Sequence, residues 1–137
     1  MADGPGLRTS VYLAGCNHKC PGCHNPDTWC FDQGTVWDPI ELAKYLLKNK
    51  YTNITFSGGD PMYQPINLAI CCKYIKEHSN KNIWVYTGFK LENLRANPHQ
   101  NEVLNWIDVL VDGEYVEELK DTSLEFRGSK NQRIIKL

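Results

Sequence analysis

Segments with the pattern of a strand alternate along this chain with segments that have the pattern of a helix, and this order restricts the fold strongly. Four stretches rich in β-branched and aromatic residues are predicted strands, at residues 8–13, 53–56, 83–86 and 108–111. Helical signals mark the stretches between them, at residues 38–50, 66–77, 91–95 and 101–106. This alternation predicts an α/β fold with a mostly parallel sheet and right-handed crossovers. Four strands are too few to close an eightfold barrel, so we expect an open, partial barrel.

The first predicted helix has the clearest start signal. Asp38 can cap the helix, Pro39 suits its first position, and Glu41 completes the capping pattern. In the second predicted helix, Cys71 and Cys72 lie on the apolar stripe. We expect these two thiols to lie in the core or on the helix surface, because small buried cysteines are common.

Loops with polar residues or glycine follow all four predicted strands. They are the cysteine-rich segment 16–23, the Ser-Gly-Gly-Asp segment 57–60, Thr87 with Gly88, and Asp112 with Gly113. The carboxyl ends of parallel strands meet at one edge of a sheet, where the active sites of such folds lie. We therefore expect these loops to contribute to one site.

The segment 16–23 reads Cys-Asn-His-Lys-Cys-Pro-Gly-Cys, and its C-x3-C-x2-C spacing holds three of the six cysteines. Three thiols on one short loop can converge on a metal ion or a cluster. The spacing leaves two interpretations open: structural zinc with His24 or Cys30 as the fourth ligand, or an iron–sulfur cluster with one open iron. A disulfide framework is less favoured, because three neighbouring thiols cannot all pair with one another and no secretory signal is visible.

Composition narrows the functional classes further. The 137 residues are enough for one domain, residues 1–137, with a substantial core. A net charge of −1 gives no indication of nucleic acid as the main partner, and the apolar runs are too short to cross a membrane. Six cysteines in a chain without a visible signal peptide indicate metal or redox chemistry in a cytoplasmic protein.

The cysteine spacing resembles the cluster loop of the radical S-adenosylmethionine enzymes. The string Asp-Gly-Pro-Gly-Leu-Arg at residues 3–8, followed by Gly15 and Cys16, is similar to the start of the enzymes that install glycyl radicals. Further segments resemble those of the activating proteins of the anaerobic (class III) ribonucleotide reductase, namely residues 15–25 with Thr28 and Trp29, residues 55–61 and residues 126–133. The resemblance runs from about residue 3 to residue 133.

This resemblance implies an open partial (β/α) barrel of the radical S-adenosylmethionine type. It also implies a 4Fe-4S cluster held by Cys16, Cys20 and Cys23, with the open iron binding the amino and carboxylate groups of S-adenosylmethionine. The implied activity is reductive cleavage of this cofactor and removal of a hydrogen from one glycine of the anaerobic ribonucleotide reductase. The family further implies a one-electron donor such as a flavodoxin, and the oxygen sensitivity of a glycyl radical implies an anaerobic cytoplasm.

Six residues are expected to bind S-adenosylmethionine: His24, Gly58, Gly59, Asp60, Thr87 and Asp112. The resemblance implies that the glycine pair and Asp60 hold the methionine amino group; an ordinary strand-to-helix turn is the alternative. Thr87 and Asp112 lie at predicted strand ends, where they would contact ribose, the methionine carboxylate or the substrate loop. Asp112 is equally explained as a turn residue. His24 would lie near the adenine, or it is an exposed loop residue.

The chain departs from related activators at two positions. Gly22 stands where many radical enzymes of this type have an aromatic residue, and Tyr86 stands where activators of pyruvate formate-lyase have an acid. The basic segment 127–133 is expected from the resemblance to help hold the glycyl loop of the reductase; the alternative is a frayed, solvated tail. Three rival functions remain: activation of another glycyl-radical enzyme such as pyruvate formate-lyase, a structural zinc module, and a plain electron carrier.

Overall fold

The computed structural model describes residues 4–13, 38–121, 123–124 and 126–137. The strands in these ranges are β1 (Arg8–Leu13), β2 (Asn53–Gly58), β3 (Ile83–Tyr86), β4 (Val109–Asp112) and β5 (Arg133–Lys136). The α-helices are α1 (Pro39–Leu47), α2 (Pro65–His78), α3 (Leu91–Ala96) and α4 (Pro98–Val103). Short 3-10 turns lie at Pro61–Tyr63, Leu104–Trp106 and Glu117–Leu119. None of the helices in these ranges is long and apolar enough to cross a membrane.

The strands form one sheet in the order β1-β2-β3-β4-β5. The first four strands pair in parallel, and β5 pairs antiparallel to β4. Within the described ranges the sheet is open, with β1 and β5 at its two edges. The predicted α/β class and mostly parallel sheet are confirmed, and the sheet has a fifth strand that the sequence analysis did not assign.

The helices pack on one face of the sheet. Alternate strand residues such as Phe56, Val85 and Leu110 share a single buried cluster with Leu46 of α1 and Ile75 of α2. Residues of α3 and α4 belong to the same cluster. This arrangement follows from the strand order, because successive right-handed crossovers between neighbouring parallel strands leave their helices on the same side. The opposite face carries a smaller cluster around Trp84.

Helix α1 begins as predicted and ends earlier than predicted. The Asp38 carboxylate accepts hydrogen bonds from Ile40 N (2.9 Å) and Glu41 N (3.1 Å), which is the expected cap. The helix ends at Leu47 rather than at residue 50. Past Leu47 the chain bonds locally instead of helically, since Tyr51 N donates to Asn49 Oδ1 at 3.0 Å, and the Asn49 carbonyl accepts from Lys81 Nζ at 2.6 Å.

The fourth predicted helix is displaced towards its N-terminus. It was expected at residues 101–106, whereas α4 covers Pro98–Val103 and a 3-10 turn follows at Leu104–Trp106. Asn97 accepts hydrogen bonds from His99 N and Gln100 N and thereby caps the helix. The Asn-Pro start signal was present in the sequence and was not used.

The C-terminal segment is ordered where it returns to the sheet. β5 places Ile135 opposite Leu110 and Arg133 opposite Asp112. Ile135 packs against the main core, although the other residues of β5 are exposed. The segment 127–133, for which a frayed, solvated tail was the alternative, is bonded at both ends: Arg127 donates to the carbonyl of Gln132 at 2.6 Å, and Arg133 is the first residue of β5.

Candidate cofactor site at the carboxyl edge of the sheet

The carboxyl ends of β1 and β2 are joined directly. Gly59 N donates to the carbonyl of Leu13 at 2.6 Å, and Leu13 lies opposite Gly58 in the register of the two strands. β1, which precedes the cysteine-rich segment in the sequence, therefore ends beside the glycine pair. Cys16, Cys20, Cys23 and His24 themselves lie outside the described residues.

Gly58 permits the two strands to approach each other. Its φ is +97°, and a Cβ at this position would lie 2.5 Å from Leu13 N and 2.8 Å from Leu13 O. A side chain would therefore collide with the backbone of β1, which cannot withdraw without breaking the pairing of the strands. The absence of a side chain at Gly58 thus serves the close approach of β2 to β1.

Asp60 is 1% exposed, and its carboxylate connects the end of β2 to the end of β3. Oδ1 accepts hydrogen bonds from Met62 N (2.9 Å) and from Thr87 Oγ1 (2.8 Å). Oδ2 accepts from Gly88 N at 2.9 Å. The structure thus brings Asp60 and Thr87 together, as the convergence of strand ends predicts.

Asp112 points its carboxylate towards α3 and β5. Its Oδ2 accepts from Leu91 N, the first residue of α3, at 2.8 Å, and its Oδ1 accepts from Arg133 Nε at 3.0 Å. Arg133 also pairs with the exposed Glu92 at 3.0 Å. The hydrogen bonds to Asp112 and Glu92 raise the pKa of Arg133, and the hydrogen bond from Arg133 lowers the pKa of Glu92. Asp112 therefore has a clear structural role between three elements.

Arg8 joins three strands on the sheet face opposite the helices. Its Nε donates to Thr55 Oγ1 at 2.7 Å, and its Nη2 donates to the carbonyl of Ile54 at 2.8 Å and to Asn82 Oδ1 at 2.9 Å. The guanidinium lies 5.6 Å from the ring centroid of Trp84. Burial lowers the pKa of Arg8, whose charge is compensated by these contacts. Arg8 was not among the predicted site residues, although an arginine within a predicted strand is a visible signal in the sequence.

Phe126 covers part of that same face. Its ring meets the Trp84 ring edge to face, with centroids 5.4 Å apart and an interplanar angle of 79°. Its φ of +63° is in the left-handed region, which bulky residues rarely adopt. Trp84 is buried, and it belongs to the cluster on the sheet face away from the helices.

The described residues do not themselves supply a metal site. No group of three or more His, Cys, Asp or Glu side chains in those ranges is placed to hold an ion. Cys71 and Cys72 are buried free thiols of α2, so of the two expected positions the core is confirmed and the helix surface is not. Burial raises the pKa of Cys71 to about 12, and it raises the pKa of Cys72 as well. Cys16, Cys20, Cys23 and Cys30 lie outside these ranges.

Comparison with known proteins covers almost the whole chain. Residues 2–135 match the family described as a 4Fe-4S single cluster domain. The anaerobic ribonucleoside-triphosphate reductase-activating protein of Escherichia coli (strain K12) is 40% identical over 141 residues, which are 96% of this chain and 90% of that protein. The chain belongs to this family of activating proteins.

Other members of the activating-protein family are similarly related. The protein of Pasteurella multocida is 38% identical over 98% of this chain and 90% of its own length. The protein of enterobacteria phage T4 is 38% identical over 98% of this chain and 86% of its own length. The resemblance to the activating proteins is thereby confirmed, and the 4Fe-4S description favours an iron–sulfur cluster over structural zinc.

Proposed function

We propose that this chain activates an anaerobic ribonucleoside-triphosphate reductase by removing a hydrogen atom from one of its glycines. The observation that carries the proposal is the match to activating proteins over 96–98% of the chain at 38–40% identity. The Leu13–Gly59 contact supports it, since β1, the strand that precedes the cysteine-rich segment in the sequence, ends at the sheet edge that holds Asp60 and Thr87.

The donor set suits a 4Fe-4S cluster with three protein ligands. Thiolates are the ligands that such clusters prefer, and the C-x3-C-x2-C spacing provides three of them in Cys16, Cys20 and Cys23. Cys16 follows Leu13 by three residues, a length of chain that reaches at most about 11 Å. When bound, the cluster would supply the electron that cleaves S-adenosylmethionine, and the protein would orient the reactants and exclude side reactions.

The chain's own residues would form the wall of the S-adenosylmethionine site at the carboxyl edge. The backbone at Gly58 and Gly59 carries no side chains that would block a ligand, and Asp60, Thr87 and Asp112, together with His24, remain the candidate residues of the site. In finer detail, we propose that the open sheet belongs to a partial barrel of the radical S-adenosylmethionine type. The face around Arg8, Trp84 and Phe126 would then be its interior.

The proposed partners are the glycyl-radical subunit of the reductase and a one-electron donor such as a flavodoxin. In the segment 127–133, Arg127 donates to the Gln132 carbonyl at 2.6 Å and Arg133 pairs with Asp112. These two arginines hold the segment in place, which leaves the exposed Lys130 and Asn131 as its candidate contacts with the reductase. A cytoplasmic location without nucleic acid or membrane partners is proposed as well.

Anaerobic reconstitution with iron and sulfide tests the proposal. We expect about four irons per chain, 5′-deoxyadenosine after reduction with S-adenosylmethionine, and a glycyl-radical signal in electron paramagnetic resonance when the reductase is added. Replacing Cys16, Cys20 or Cys23 by Ala should abolish iron binding, whereas the matched Cys71→Ala variant should retain it.

Each rival function has its own outcome in this experiment. One zinc with no iron or sulfide would contradict the proposal in favour of a structural zinc module. Reduction of partners without 5′-deoxyadenosine would indicate an electron carrier. A radical on pyruvate formate-lyase but not on the reductase would indicate a different substrate.

A further inference from the structure

The Asp60 carboxylate lies between two loops of the carboxyl edge. It accepts a hydrogen bond from Met62 N in its own loop. It also accepts hydrogen bonds from Thr87 Oγ1 and Gly88 N in the loop after β3. The side chain is 1% exposed and Thr87 is 6% exposed. A buried carboxylate that accepts backbone and hydroxyl hydrogen bonds fixes the groups that donate to it, because each would lose a partner if the loops separated.

The same loops are held at two further points. The rings of Tyr63 and Phe89 meet edge to face with centroids 5.2 Å apart, and Gln100 Nε2 donates to the carbonyl of Met62 at 2.9 Å. On the other side, Gly59 N is bonded to the Leu13 carbonyl. The backbone of Gly59 is therefore fixed between β1 and the Asp60–Thr87 contact.

We infer that Asp60 and Thr87 are a pair of positioning residues, which act on S-adenosylmethionine through the backbone of Gly59 and Gly88 that they hold in place. This inference rests on the proposed function for the identity of the cofactor. The contact itself exists in the chain without any ligand. This positioning role differs from direct binding of the methionine ammonium group by the Asp60 carboxylate. Direct binding would not require Thr87.

The length of the acid matters for this role. One methylene lets the Asp60 carboxylate accept from Met62 N, two residues ahead, and from Thr87 Oγ1 at the same time. The additional methylene of glutamate would displace the carboxylate within a site that is already buried. We therefore expect Asp60→Glu to disturb the contact even though it preserves the charge.

A double-mutant cycle tests the pair. Asp60→Asn and Thr87→Val each remove part of the contact, whereas Thr87→Ser retains the hydroxyl group. Thr52→Val is the matched control, because it removes a hydroxyl group that is hydrogen-bonded to Thr9 elsewhere in the fold. Urea unfolding of the cluster-free chain should give non-additive losses for Asp60→Asn and Thr87→Val. Additive losses would overturn the inference, and this measurement does not depend on the proposed function.

Equilibrium dialysis of S-adenosylmethionine against the reconstituted variants gives the second measurement. We expect Asp60→Asn and Thr87→Val to raise the Kd by similar factors, about tenfold or more, with a non-additive double variant. Thr87→Ser should restore most of the affinity, and Thr52→Val should bind as the parent chain does. A large loss in Asp60→Asn with parental binding in Thr87→Val would overturn the inference in favour of direct contact. Absence of binding in the parent chain would instead contradict the proposed function.

Discussion

Burial lowers the reactivity of the two thiols of α2, Cys71 and Cys72, towards alkylating reagents. The thiolate is the reactive form of cysteine, and the pKa values of Cys71 and Cys72 are both raised. We predict that iodoacetamide at pH 8 leaves both thiols unmodified in the native chain and modifies both in urea. Peptide mapping by mass spectrometry measures the two sites separately. Modification of native Cys71 at the rate of a free thiol would contradict its burial.

The raised pKa of Cys71 also predicts a loss of stability in alkali. An unfolded thiol loses its proton above pH 9, whereas the folded thiol keeps it until about pH 12. The unfolded state then binds fewer protons, so the free energy of unfolding falls as the pH rises, by about 1.4 kcal/mol per pH unit for this group. Urea unfolding at pH 8 and pH 10.5 should show a steeper decline for the parent chain than for Cys71→Ala. Equal slopes would contradict the prediction.

The left-handed conformation of Phe126 predicts an unusual order of two substitutions. Both Phe126→Ala and Phe126→Gly lose the ring contact with Trp84, but only glycine adopts a φ of +63° without strain. We expect Phe126→Gly to be at least as stable as Phe126→Ala, although glycine is ordinarily less stable than alanine by about 0.5–1 kcal/mol. Thermal unfolding of the Phe126→Ala and Phe126→Gly variants measures their relative stability. A lower stability of Phe126→Gly would show that the backbone at residue 126 is not strained.

At the scale of elements, Arg133 attaches β5 to β4 and α3. Its loss would leave the Asp112 carboxylate, which is 1% exposed, without its charged partner. We expect Arg133→Met to lower the free energy of unfolding by about 2 kcal/mol, less than for a fully buried pair because Arg133 is partly exposed. Glu92→Gln removes the exposed partner of the same arginine and should change stability little. Equal effects of the two variants in urea unfolding would refute this assignment.

The elements that the sequence predicted well have local signals. Asp38 and Pro39 define the start of α1, and the apolar run 83–86 is β3 without adjustment. β5 could not be assigned because it has four residues, is largely exposed and depends on pairing with β4, which lies more than twenty residues earlier. Such long-range pairing leaves little trace in local composition.

The location of the candidate site could be predicted from the sequence, but the orientation of its side chains could be predicted only in part. Parallel topology alone was enough to bring Asp60 and Thr87 to one edge. The direction of the Asp112 side chain was not predictable, because it is set by Arg133 on the unassigned strand β5. Side-chain orientation at a strand end thus depends on a partner that sequence patterns did not reveal.

At the scale of the whole molecule, the sheet presents two different faces. The helices cover one face completely enough to bury Phe56, Val85 and Leu110. The other face carries Arg8 and Trp84 and is covered in part by the C-terminal segment through Phe126. Consecutive parallel strands with their helices on one side leave the second face for later parts of the chain and for ligands.

The direction of β5 determines where Leu137 lies. Because β5 runs antiparallel to the other strands, Leu137 returns to the start of β4, where its N donates to the Asp108 carbonyl at 2.9 Å. A fluorophore or an affinity tag joined after Leu137 would emerge at the end of the sheet remote from Gly59 and Asp60. Protein immobilised through this end would leave the edge of the sheet that carries Gly59 and Asp60 facing the solution, where even a bulky macromolecule can reach it.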